Sequence, residues 1–434
     1  MKRTIAFVTC AMALLAATVA WAQSLQPAKP EEVGLSSERL AKIGRVFKQD
    51  IDHGKIPGVV VMIARKGRLA YAESFGFQNW DKGTAMAKDA IFRAYSMTKP
   101  LVSVAAMTLV EDGTIQLTDP VSKWLPEFKD LMVSVPRADA LGQATFGLVL
   151  AERQPTIQDL LRHTAGFAYG EISANRLVKE AYTRASLFKP DFDYNTTDLT
   201  PAEFVERIAK SPLAHQPGTT WEYSLAVDVL GRVVERVSGK RLGEFMEERL
   251  FKPLKMIDTA FFVPADKLSR LADPFAKDPV SGNPFRFLDV SQPPKNDSGG
   301  AGSVTTASDY LRFAQAMLNG GRLDDARVLS RTTVALMTSD HLGIRIRPTV
   351  TPGELLLGVD GYTFGLGFTV RSQPGIAAVP GSQGEFMWGG YGGTYFWVDP
   401  KEELAVVMMM QHAGPARVYY RREIRQLVYQ AIAD

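Results

Sequence analysis

The chain has 434 residues, 46% of them hydrophobic, one cysteine, and a formal net charge of +3 to which Lys2 and Arg3 contribute two units. A length above about 300 residues predicts more than one core region, and so even a charge balance leaves no basic field for nucleic acid. The lone Cys10 rules out an internal disulfide, so stability must come from core burial.

Met1-Lys2-Arg3, an Ala-, Leu- and Val-rich run from Ile5 to Ala20, and Ala20-Trp21-Ala22 read as a secretory signal peptide over residues 1–22, with cleavage before Gln23. The run is too short, and too interrupted by Thr4, Thr9 and Thr18, for a stable membrane span. The mature protein is therefore expected to be periplasmic or secreted, and without a thiol for catalysis. Leu40, Ile43, Phe47 and Ile51 then recur at helical spacing. Gly58 to Arg65 is a nearly continuous apolar run, Lys66-Gly67 a turn, and Leu69 to Phe75 a looser alternation, which together predict a hairpin.

Helical patterns dominate the middle: Leu101 to Val110, Ile157 to Leu161, Leu225 to Val237, and Leu311 to Leu318 behind a capping-type Thr306-x-x-Asp309. Phe188 to Thr200 is polar and irregular and reads as a loop. Near the end, Thr363 to Val370, Thr394 to Val398 and Leu404 to Met410 read as strands, and Ile424, Leu427, Val428, Ala431 and Ile432 form the stripe of a closing helix. The pattern predicts an α/β (α+β) chain. One antiparallel sheet flanked by helices is built from both chain ends (residues 23–92 and 355–434), and a mostly helical lobe (93–354) is inserted between them.

Ser96-Met97-Thr98-Lys99 stands at the head of the helix that carries Leu101, Val102, Ala105, Ala106, Leu109 and Val110. Three helical residues rise about 4.5 Å, so a serine and a lysine at i and i+3 share a face and the amine can approach the hydroxyl. Pro100 is tolerated where helix NH groups have no intrahelical partner, which puts Ser96 at the positive end of the helix dipole. A second match, Ser186-Leu187-Phe188-Lys189, is followed by no helical stripe and reads as a loop. Tyr223, between an extended stretch and the helix from Leu225, is a candidate to relay the serine proton.

Ser96-x-x-Lys99, Leu160-Leu161-Arg162-His163-Thr164-Ala165-Gly166, Tyr223-Ser224, Gly299-Gly300-Ala301-Gly302-Ser303 and Trp388-Gly389-Gly390 occur in an order that resembles the class C β-lactamase family, and specifically its carboxylesterase branch. The resemblance spans essentially the whole mature chain. It implies a β-lactamase/transpeptidase-like fold with the site between sheet and helical lobe. It also implies an acyl-enzyme on Ser96, acid/base work shared by Lys99 and Tyr223, and an oxyanion hole from the Ser96 and Tyr391 backbone NH groups. Trp388, Gly389, Gly390 and Leu225 would touch substrate, because Trp388 stands where the family has the lysine of Lys-Thr-Gly, and Leu225 where it has the asparagine of Tyr-x-Asn. Without that lysine and that amide, an apolar wall favours short or medium acyl esters.

β-Lactam hydrolysis, D-alanyl peptidase action and acyl transfer are the alternative enzyme readings, and a non-catalytic penicillin-recognising binding protein is the alternative from another class. No Gly-x-Ser-x-Gly elbow, zinc motif or nucleotide loop occurs, so no metal or cofactor is expected, and the expected partner is a small ester. His163 and His412 read as packed histidines rather than bases. Oligomeric state is not legible.

Overall fold

In the computed structural model, which describes residues 25–138, 141–188 and 196–434, Ser36 caps the first long helix, α1 (Ser37–Asp52), by accepting a hydrogen bond from the Arg39 NH. The signal-peptide reading of 1–22, residues 189–195 of the polar stretch and Lys189 of the second Ser-x-x-Lys lie outside the described residues. Strands β1 (Gly58–Arg65), β2 (Arg68–Asn79) and the short β3 (Thr84–Ala85) follow. The hairpin extends past Phe75 because β2 continues to pair with β3 at its far end. Helix α2 (Thr98–Glu111) comes next.

The helical middle contains an antiparallel hairpin that the sequence pattern did not predict, β4 (Met132–Ala138) with β5 (Ala144–Leu150). Pro136 lies within β4 opposite Phe146, and proline in a short two-stranded ribbon argues against a strand when only sequence is considered. Helices α3 (Ile157–Leu161), α4 (Ala226–Ser238) and α5 (Ala307–Leu318) match the periodic stretches. Thr306 caps α5 through the Asp309 NH.

After α6 (Pro352–Leu357), the stretch expected to be one strand is two: β6 (Tyr362–Phe364) and β7 (Thr369–Arg371). The chain reverses between them at Gly367, whose φ is +93° and whose Cβ, were there one, would lie 2.5 Å from the Ser103 side chain. Strands β8 (Phe386–Gly389), β9 (Tyr395–Asp399) and β10 (Leu404–Met409) and helix α7 (Ala416–Tyr429) complete the chain.

The strands form one eight-stranded sheet ordered β6-β7-β8-β9-β10-β1-β2-β3, so the two chain ends meet where β1 pairs antiparallel with β10, Val61 opposite Met408. Every residue of β1 is buried. A strand buried on both faces reads as a continuous apolar run rather than an alternation, which is the pattern of Gly58 to Ala64. Helix α5 packs against β1, β9 and β10, and α7 packs against α1, with Phe47 and Tyr420 stacked at 6.0 Å. Among the described residues no helix is long and apolar enough to cross a membrane.

Helix α7 is held to the sheet by a buried charge cluster. Glu385, 0% exposed, accepts hydrogen bonds from Tyr362 Oη and Tyr429 Oη, each at 2.9 Å, and from the Arg371 and Arg425 guanidinium groups. Removing one member of a buried pair leaves uncompensated charge, so Glu385→Ala is expected to cost about 3–5 kcal/mol. The urea midpoint would report that loss, and a midpoint equal to wild type would show that these bonds do not hold α7.

Candidate active site

Ser96 sits in a single 3-10 turn, Tyr95–Met97, that runs straight into α2. Tyr95 carries a φ of +48°, a left-handed conformation that costs a non-glycine residue about 1–3 kcal/mol. The strained residue is held by its surroundings. The Leu288 NH donates to Tyr95 Oη at 2.9 Å, and the ring makes edge contacts with Phe287 and Tyr391. Pro100 is the third residue of α2, where its missing NH would have no intrahelical partner.

The i, i+3 spacing brings Lys99 back to the serine. Lys99 is 1% exposed, and its Nζ donates to Ser96 Oγ at 3.3 Å, to Tyr169 Oη at 2.9 Å and to Gly300 O at 2.8 Å. Three partners match the three N–H donors of an ammonium. Tyr223 Oη lies 2.5 Å from Ser96 Oγ on the other side, and Lys99 Nζ lies 4.6 Å from the centre of the Tyr223 ring. The structure thus brings Ser96, Lys99 and Tyr223 into one hydrogen-bonded group.

The glycine-rich segment Gly299–Ser303 aims a carbonyl at this lysine. Asp228, on α4, accepts from Ser298 Oγ at 2.7 Å and from the Gly300 NH at 3.1 Å, while Gly300 O faces Lys99. A Cβ on Gly300 would fall 2.1 Å from Asp228 Oδ2, so no larger residue fits there. Thr98 and Ser303 tie the segment to the head of α2, their hydroxyls 2.7 Å apart.

Trp388, Gly389, Gly390 and Tyr391 line a cavity of about 190 Å³ that opens onto Ser96, with Tyr169, Tyr223 and Leu356 also on its wall. The Trp388 ring packs against Tyr223 at 5.3 Å and Phe364 at 5.4 Å. Strand β8 ends at Gly389, and the turn to β9 is closed by the Gly390 NH donating to Thr394 O at 2.8 Å. The Tyr391 and Ser96 segments both border this cavity.

Two expectations about the cavity are corrected. Leu225 does not line it: the side chain, 1% exposed, is taken into the core at the head of α4, where an apolar residue packs rather than facing the cleft. Nor is the wall without fixed charge, because Arg417 and Arg421 of α7 reach it from beneath. Burial, then the neighbouring Arg417, push the Arg421 guanidinium down to about 9, and burial also lowers Arg417. Neither forms an ion pair with a carboxylate among the described residues. These cations come from a helix rather than from the strand where the family's lysine would stand, so the strand motif did not reveal them. Tyr169 was also missed. It lies three residues past Gly166 with no periodicity to mark it.

Histidine is not part of the group. His163, buried and with φ +57°, has Nδ1 3.1 Å from Ser224 Oγ, and burial holds its ring well below the usual histidine range. The His412 NH donates to Gly392 O at 2.7 Å, its ring meets Phe285 edge-on, and burial lowers its proton affinity. Ser186 is exposed, in a turn after the helix Arg176–Arg184. Among the described residues, no cluster of three or more His, Cys, Asp or Glu side chains could hold a metal ion.

The family model described as Beta-lactamase matches residues 43–430. The chain is 34% identical over 379 residues to Protein Rv1367c of Mycobacterium tuberculosis, covering 84% of this chain and 88% of the relative. It is 32% identical over 405 residues to Esterase EstB of Burkholderia gladioli, covering 88% and 94%. Among solved structures, EstCE1, described as a hydrolase with promiscuous acyltransferase activity, superposes with a TM-score of 0.73 at 29% identity, covering 90% of this chain and 99% of that one.

Proposed function

The chain belongs to the beta-lactamase family, on its esterase-like branch, and from that premise we propose that it hydrolyses short or medium acyl esters through a Ser96 acyl-enzyme. The observation that carries the reading is the short Tyr223 Oη–Ser96 Oγ contact with Lys99 Nζ on the same hydroxyl, set at the edge of an aromatic-walled cavity.

Tyr223 enters the step as the phenolate: Ser96 Oγ attacks the ester carbonyl carbon, and the serine proton passes to the tyrosyl oxygen. Lys99, whose N–H bonds also run to Tyr169 and Gly300 O, offers positive charge to the tyrosyl oxygen rather than a free lone pair to the serine. The NH groups of Ser96 and Tyr391 receive the oxyanion. Collapse expels the alcohol, which takes the proton back from Tyr223. Water enters by the reverse path and releases the acid.

Trp388 in place of a lysine leaves a β-lactam carboxylate without its strand cation, and the hydrogen bonds of Arg421 run to backbone carbonyls. One missing contact to a charged group is worth about 1.5–3 kcal/mol. We expect p-nitrophenyl butyrate to be turned over with kcat/KM at least about a hundredfold above that of a chromogenic cephalosporin. Equal values would mean that Arg417 supplies the cation and would put β-lactam hydrolysis first.

A further inference from the structure

Arg421 presents an unusual combination: a guanidinium only 2% exposed, with no carboxylate partner among the described residues, lying against the backbone that ends β8. Its Nη2 donates to Gly390 O at 2.7 Å and its Nη1 to Leu356 O at 3.2 Å, while Nε has no hydrogen-bond partner. The guanidinium lies so close to Gly389 that a Cβ there would stand 2.7 Å from its central carbon. Glycine at 389 is therefore what lets the cation reach the next carbonyl.

That carbonyl belongs to the Gly390–Tyr391 peptide unit, whose other end is the Tyr391 NH. A charged donor on the oxygen polarises the amide and makes its NH a stronger donor. It also joins the Gly393 NH, which donates to the same oxygen at 3.2 Å, in fixing this glycine-rich peptide. A mere clip between α6 and β8 would need only a neutral donor. Two carbonyls and the Tyr395 ring, 5.8 Å away, partly compensate the guanidinium, yet a buried cation beside a second one, Arg417, is further relieved when negative charge develops nearby. The reaction supplies such charge as the tetrahedral oxyanion.

Resting on the esterase reading, we propose that Arg421 is the positioning residue of the oxyanion hole. It orients and polarises the Gly390–Tyr391 peptide without touching substrate. The Arg421→Met variant keeps bulk and removes both donors and charge. In the purified protein, its kcat for p-nitrophenyl butyrate is expected to fall about 30- to 100-fold with KM within about threefold, below the loss typical of a deleted oxyanion donor. Affinity for phenylboronic acid, which forms a tetrahedral adduct on the serine, should fall by a similar factor. A simple structural clip would not weaken this affinity in step with kcat.

Arg421→Lys, which keeps the charge but loses the planar fork, should lower kcat at least about tenfold. If Arg421→Met does not fold, as judged by near-UV circular dichroism, the lysine variant decides. A folded variant with kcat within about threefold of wild type, or a loss carried by KM alone, overturns the proposal while leaving the esterase reading intact. A wild-type protein that neither turns over esters nor binds the boronic acid overturns both.

Discussion

Replacing Ser96 by alanine is expected to lower p-nitrophenyl ester hydrolysis by about four to six powers of ten and to abolish labelling by a fluorophosphonate, whereas Ser186→Ala leaves both near wild type. The two serines make an internal control, because each begins a Ser-x-x-Lys match. Their settings differ. Ser96 stands at the head of a buried helix with Tyr223 and Lys99 on its hydroxyl, while Ser186 lies exposed in a turn. Among the described residues, only the first has a neighbour able to take its proton and a cavity into which an acyl group fits. Intact mass after labelling, shifted by one adduct in wild type and Ser186→Ala but not in Ser96→Ala, checks the assignment. The reverse pattern would sink it.

The two residues closest in sequence were also the easiest to find. Ser96 and Lys99 are three positions apart on one helix, so their meeting follows from helix geometry alone. Tyr169 and Arg421 were not legible, because each acquires its meaning from a partner far along the chain: Lys99 lies 70 positions from Tyr169, and Gly390 lies 31 from Arg421. On α7, Arg417, Arg421 and Arg425 recur every four residues beside the apolar stripe, a pattern that ordinarily marks a solvated face. Here Arg421 and Arg425 are buried instead, one under β8 and one on Glu385.

The same contrast holds for the fold. The central strands were visible because burial on both faces forces a continuous apolar run, as in Gly58 to Ala64 and Leu404 to Met409. The reversal at Gly367 was hidden inside an apolar stretch, and the β4–β5 hairpin has no such run to announce it.

Lys99→Ala and Tyr223→Phe should each lower kcat for p-nitrophenyl butyrate by about two to four powers of ten, and the double variant should lose little more than the worse single one. Effects multiply when residues act independently. These two do not, because both bond the same serine oxygen and the ammonium lies over the tyrosine ring. Once Lys99 is gone, the positive charge that keeps the tyrosyl oxygen deprotonated and ready for the serine proton is lost, so removing its hydroxyl takes away little that still works. Tyr169→Phe deletes only one of three partners of the amine and is expected to cost about tenfold. His412→Ala should stay within about threefold of wild type, since its ring lies against Phe285 and forms no bond to Ser96. Steady-state kinetics on the four single variants and the double, each checked for folding, would decide the matter. A folded His412→Ala protein without turnover, beside a Tyr223→Phe protein that retained it, would replace the lysine–tyrosine mechanism with a serine–histidine one.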